Sequence, residues 1–125
     1  MSDLNYLDTS FIAAYLLPEP DSEQVETILR SLSAGSLQVS HWTGTEMASL
    51  LARKVRMQDL SSHDSLKVKG GYDRLINDRV FRSVDIIAED FLKASQWVID
   101  AKLGLRGPNG LHLAVAHRLD ATIWT

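Results

Sequence analysis

The sequence predicts one α/β domain built on a mainly parallel sheet. Three observations carry this. Short β-prone stretches alternate with helical stretches along the chain, the order that builds parallel sheets through helical crossovers. The 125 residues suit a single domain: area scaling gives about 6,700 Å² of folded surface against about 20,000 Å² unfolded, enough burial for a core. Hydrophobic residues make up 45% and charged residues 23%, which excludes a disordered tail, a collagen-like repeat and a coiled coil.

The elements follow in order. Leu4 to Leu7 reads as a strand ending at Asp8, and Thr9 to Leu17 as a helix stopped by Pro18 and Pro20. Asp21 and Ser22 can cap a second helix with the stripe Val25, Ile28, Leu29 and Leu32, ended by Gly35. Ser36 to Ser40 is a second strand. Thr43 to Glu46 opens a helix through Met47, Leu50, Leu51 and Val55. Ser61 and Ser62 start another, weakened at Gly70–Gly71 and resumed by Tyr72, Leu75 and Ile76. Val80 to Ile87 is a third strand, and Ala88 to Leu103 a strong helix closed by Gly104. Pro108 and Asn109 start a last helix through Leu119, and Ala121 to Thr125 is a fourth strand. Phe11, Ile12, Tyr15 and Leu16 serve either the core or a dimer contact.

Composition excludes several function classes. There is no cysteine, hence no disulfide framework, zinc–thiolate site or cysteine nucleophile. The longest apolar run, Phe11 to Leu17, is too short to span a membrane. No secretory pattern opens the chain, so a cytoplasmic location is expected. There is no Walker loop, no Gly-x-Gly-x-x-Gly after the first strand and no Gly-x-Ser-x-Gly elbow. His112 and His117 are five apart and face different sides of a helix, so they make no metal pair.

The net charge of −3 hides a pattern. Residues 1–52 carry one Arg against seven acids, whereas residues 53–82 carry eight Lys/Arg against four Asp. Arg53, Lys54 and Arg56 open this basic band. It is either a solvated face or a guide for a polyanion.

In parallel α/β sheets ligands gather beyond the carboxyl ends of the strands. Asp8 ends the first strand, Glu46 lies just after the second, and Asn109 begins the helix before the fourth. An oxygen cluster there would suit Mg²⁺ or Mn²⁺. Each residue also has a capping role open to it. Asp8 precedes Thr9–Ser10, Thr43-x-x-Glu46 is a capping-box pattern, and Asn109 follows a proline.

Tyr6-Leu-Asp-Thr-Ser10, Thr45-Glu-Met-Ala-Ser49 and Leu105-Arg-Gly-Pro-Asn-Gly-Leu-His-Leu-Ala114 together resemble the motifs of PIN-domain ribonucleases. Within that family the chain is similar to the VapC toxins of bacterial toxin–antitoxin pairs. The resemblance covers essentially residues 1–125. It implies a PIN-like three-layer α/β/α fold with a central, mainly parallel sheet of four to five strands. It also implies a Mg²⁺- or Mn²⁺-dependent endoribonuclease with Asp8, Glu46 and Asn109 as catalytic and metal positions. Ser10 is then auxiliary, and Arg53, Lys54 and Arg56 hold the RNA backbone. A VapB-like antitoxin and a homodimer are the implied partners, and no membrane is involved.

Two departures matter. The family's third acid is an Asp, and Asn109 stands there. Asp to Asn keeps one acceptor oxygen, removes a charge and adds donors, so a weakened or inactive enzyme is expected. The family's fourth acid follows a strand resembling Ala121–Thr125, and the sequence stops at Thr125; Asp120 precedes that strand and is not counted. A non-catalytic PIN module binding RNA or protein, and a PIN nuclease outside toxin–antitoxin systems, are the alternatives.

Overall fold

The computed structural model describes residues 3–125. Its elements are β1 (Asn5–Leu7), α1 (Thr9–Leu16), α2 (Ser22–Ser31), β2 (Leu37–Ser40), α3 (His41–Arg56) and α4 (Ser62–Asn77). There follow β3 (Arg82–Val84), α5 (Ala88–Val98), a 3₁₀ turn (Ala101–Leu103), α6 (Gly107–Arg118) and β4 (Thr122–Trp124). The four strands form one sheet in the order β3-β2-β1-β4. Every pair is parallel; Asn5 sits opposite both Leu37 and Thr122, and Val39 opposite Ser83. No helix among the described residues is long and apolar enough to cross a membrane.

Side chains alternate across the sheet and divide the core in two. Leu7, Leu37 and Val39 pack with residues of α1 to α4, among them Ile12, Met47, Leu51 and Tyr72. Tyr6 from the opposite face packs with Val115 and Ala116 of α6, beside Val84 and Ile123. The sheet therefore lies between two helical layers, the three-layer arrangement that the family resemblance implies. Phe11 and Ile12 are core residues, while Tyr15 on the same helix is exposed.

Asn5 interrupts the apolar β1 sequence for a structural reason. Its Nδ2 donates to Ser36 Oγ (3.0 Å), and its Oδ1 accepts from Trp124 Nε1 (2.9 Å). One amide thus fastens the central strand to the segments on both sides.

Several boundaries differ from the sequence reading. The second helix stops at Ser31, and Gly35, at φ +82°, makes the turn into β2. The third helix begins at His41, not Thr43: Ser40 is the N-cap, and the Thr43 hydroxyl accepts from the Ser40 N–H (3.2 Å). The Thr43-to-Glu46 capping box is therefore not formed. The third strand is only Arg82–Val84, because Phe81 turns inward to the core. The fifth helix ends at Val98; Asp100 then caps the 3₁₀ turn through Lys102 N–H (3.1 Å), and Gly104 closes it at φ +61°. The sixth helix starts at Gly107 with Arg106 as N-cap, so Asn109 lies inside the first turn rather than capping it.

Gly70 and Gly71 do not interrupt α4, which runs unbroken from Ser62 to Asn77. Packing of Val68, Tyr72, Leu75 and Ile76 outweighs the weak local propensity. A Cβ at Gly70 would meet nothing within 4 Å. Gly70→Ala is therefore expected to stabilise the protein by about 0.5–1 kcal/mol, read as a higher denaturant midpoint at unchanged slope.

Candidate functional site

The C-terminal ends of β1, β2 and β4 open into a cleft of about 400 Å³. Asp8, Thr9 and Ser10 line it from the start of α1, and Thr125 from beyond β4. Glu46, Ser49, Leu50 and Arg53 line it from α3, and Asn109 and His112 from α6. The α3 residues are spaced 3, 1 and 3, a single helix face. Asn109 and His112 share a face of α6 at i, i+3. Three segments far apart in sequence thus bring two carboxylates and one amide to one cleft.

Asp8 serves both roles left open for it. It is the N-cap of α1: its Oδ1 accepts from Phe11 N–H (3.1 Å) and from Ser10 Oγ–H (2.8 Å). These bonds fix the carboxylate, and the positive end of the helix dipole favours its charge. No described group hydrogen-bonds Oδ2. Ser10 thereby acts on Asp8 directly and also lies 3.5 Å from Thr125 Oγ1.

Glu46 is held at one oxygen. Its Oε1 accepts from Thr9 Oγ1–H (2.7 Å) and pairs closely with His112 Nε2. His112 is buried, and its Nδ1 lies 2.7 Å from the Tyr6 hydroxyl, which in turn lies 2.9 Å from Ser40 Oγ. Chemistry orders one of these bonds: a carboxylate only accepts, so His112 Nε2 donates to Glu46, while the Nδ1 to Tyr6 bond takes its direction from the proton on the ring. A buried chain thus runs from the end of β2 through β1 and α6 to the Glu46 carboxylate.

Burial pushes the Tyr6 hydroxyl pKa up, and the Glu46 and Asp8 charges add to that; hydrogen bonds to Ser40 and Thr43 pull the other way. Burial likewise raises Tyr72. Because both folded values lie above the unfolded value of 10.0, their contribution to stability is complete below about pH 10. It is lost as pH rises beyond that. Tyr6→Phe removes the hydroxyl that pairs with His112 and is expected to cost about 1–3 kcal/mol near neutrality. It should also flatten the alkaline fall in stability; denaturant melts at neutral and alkaline pH measure both effects.

The sequence-derived site residues separate cleanly. Asp8, Ser10, Glu46, Arg53 and Asn109 meet in the cleft; Lys54 and Arg56 do not line it. Of the basic band only Arg53 reaches the cleft, while Lys69 pairs with Asp73 on α4 (2.6 Å). Thr9, Ser49, His112 and Thr125 line the cleft without being marked as site residues by the sequence.

Comparison with known proteins bears on the fold and the family. No curated protein sequence matches the chain. Among solved structures it is similar to VapC20 of Mycobacterium tuberculosis, a sarcin–ricin loop cleaving toxin, with TM-score 0.73 and 18% identity over 94% of this chain and 84% of that one. It is also similar to FitAcB from Neisseria gonorrhoeae, with TM-score 0.71 and 22% identity over 98% of this chain and 86% of that one. The family model for the PIN domain matches residues 6–125, and the chain belongs to the PIN-domain family.

Proposed function

We propose that this protein is a VapC-like endoribonuclease toxin that depends on Mg²⁺ or Mn²⁺ and is weakened by Asn109. The observation that carries this reading is the convergence of Asp8 and Glu46, each bonded through one oxygen, on a single cleft. The remaining donors are all oxygen: Asp8 Oδ2, Glu46 Oε2 and the Asn109 amide oxygen. Such a set fits a hard cation that keeps several waters and takes one or two carboxylates. Among the described residues no three His, Cys, Asp or Glu side chains group to hold a metal ion.

When bound, the cation would supply Lewis-acid charge and a readily ionised water for phosphodiester hydrolysis. The chain's own residues do the positioning. Ser10 and the start of α1 orient Asp8. Thr9 and His112 hold Glu46, with His112 fixed in turn by Tyr6. Arg53 offers a cation to an RNA phosphate at the cleft wall, and Lys54 and Arg56 extend the positive charge along the end of α3.

A VapB-like antitoxin is the expected partner, as the resemblance to VapC toxins implies. A homodimer is supported by the exposed apolar side chains Phe91, Leu92, Ile99 and Leu103 on and after α5. The location is cytoplasmic on this reading.

Asn109 itself favours a second reading, a non-catalytic module that binds RNA or protein. Calorimetric titration of the Asn109→Asp protein with Mn²⁺ separates the two: binding supports the nuclease, and no binding supports the module. Growth arrest on expression of that variant, relieved by a co-expressed partner, would place the nuclease in a toxin–antitoxin pair; cleavage without arrest would place it outside one.

A further inference from the structure

We infer that Asn109 is a deamidation site, at which the chain itself converts the amide in the cleft to a carboxylate. Asn109 is followed by Gly110; the other asparagines precede Tyr6 and Asp78. A glycine nitrogen has no side chain beside it to shield its approach to the preceding side-chain amide. Asn109 is exposed at the cleft, and no hydrogen bond to a described group holds its side chain. Asn5, by contrast, is buried and bonded at both ends of its amide.

The reaction needs only water. The deprotonated Gly110 nitrogen attacks Asn109 Cγ, the Cγ–Nδ2 bond breaks, and ammonia leaves, closing a succinimide ring. Water then opens the ring. Cleavage at Cγ gives Asp; cleavage at the main-chain carbonyl gives isoaspartate. Nothing is oxidised or reduced, and the net change is amide plus water to acid plus ammonia.

The fold sets the rate. Gly110 N–H donates to Arg106 O (2.8 Å), the first main-chain bond of α6, and must leave it to react. Arg106 gives that turn no side-chain cap and no acid stands in it, although Gly110 is buried against α5 and must be freed as the turn opens. A helix end of this kind opens far more readily than a helix interior. Reaction through such openings makes α6 a slow timer. The Asp product places a third carboxylate beside Asp8 and Glu46. Only that last consequence rests on the proposed function.

The test is peptide mass spectrometry of the full-length protein incubated in heavy-oxygen water at mildly alkaline pH. Site-resolved incorporation at residue 109, several-fold faster than at Asn5 and Asn77, is expected. Gly110→Ala should suppress it. A Cβ there would lie 2.7 Å from Val98 Cγ2, so the Val98→Ala/Gly110→Ala double variant supplies a second form with the space restored. An Asn109 that keeps its amide as long as Asn5 and Asn77 overturns the inference, as does unchanged incorporation in the double variant. If residue 109 converts but the Asn109→Asp protein binds no Mn²⁺, the deamidation site stands and the nuclease reading falls.

Discussion

Asn109→Asp is expected to raise Mg²⁺-dependent RNA cleavage about a hundredfold. A unit charge at ~4 Å is worth about 4 kcal/mol near a protein surface and more against a divalent ion; about 3 kcal/mol left after offsets corresponds to that factor in rate. The same change should lower the melting temperature of the metal-free protein by about 3–5 °C, the shift that ~1 kcal/mol of carboxylate repulsion makes in a domain of this size. Metal should restore the loss. The opposed signs of the two effects are the signature of a charge placed at the metal position. An unchanged rate in the restored protein means that Asn109 does not belong to that position.

The second large effect concerns stability, and it lies behind the cleft. Asp90 is buried at the start of α5 and accepts from Arg118 Nε (2.9 Å) and Nη2 (3.0 Å) and from the Ile87 N–H (3.0 Å). Arg118, near the end of α6, also donates to the Asp85 carbonyl (2.8 Å). The hydrogen bonds to Asp90 raise the guanidinium pKa further, so Arg118 stays charged. Asp90→Ala leaves the guanidinium without its carboxylate and the first turn of α5 without its acceptor. Losing one member of a buried pair costs about 3–5 kcal/mol, and partial solvent access at Arg118 favours the lower end. A fall of about 10 °C in melting temperature is expected. Because α6 carries Asn109 and His112, any activity of the Asn109→Asp protein should fall with it at temperatures well below the melt. A variant melting within about 2 °C of the parent would show that packing alone fastens α5 to α6.

Element type was legible from hydrophobic spacing because α2 to α5 are amphipathic and each strand is bounded by turn residues. What failed were features decided by tertiary packing. Gly70–Gly71 looked like a break, yet Tyr72 and its neighbours keep α4 whole. Val80 to Ile87 looked like a long strand, but only the part facing β2 finds a pairing partner. At the site, Asp8, Glu46 and Asn109 were found through motif order together with their places near strand ends. His112 escaped because its partners, Glu46 and Tyr6, are 66 and 106 residues away in sequence. No local pattern encodes such a contact. Thr43-x-x-Glu46 misled for the opposite reason: a sound local pattern existed, but Ser40 offered the same chemistry one turn earlier.

The hydrogen bond from Phe11 to Asp8 has a bearing on how inactivating substitutions should be interpreted. A screen that truncates position 8 would unseat a helix and disarm a cleft in one stroke, and the resulting defect would not say which mattered. Asn at that position retains an oxygen for the Phe11 amide while discarding the charge. Comparing the two replacements, folded fraction against turnover, would pull architecture apart from reactivity at a residue that both caps a helix and lines the cleft.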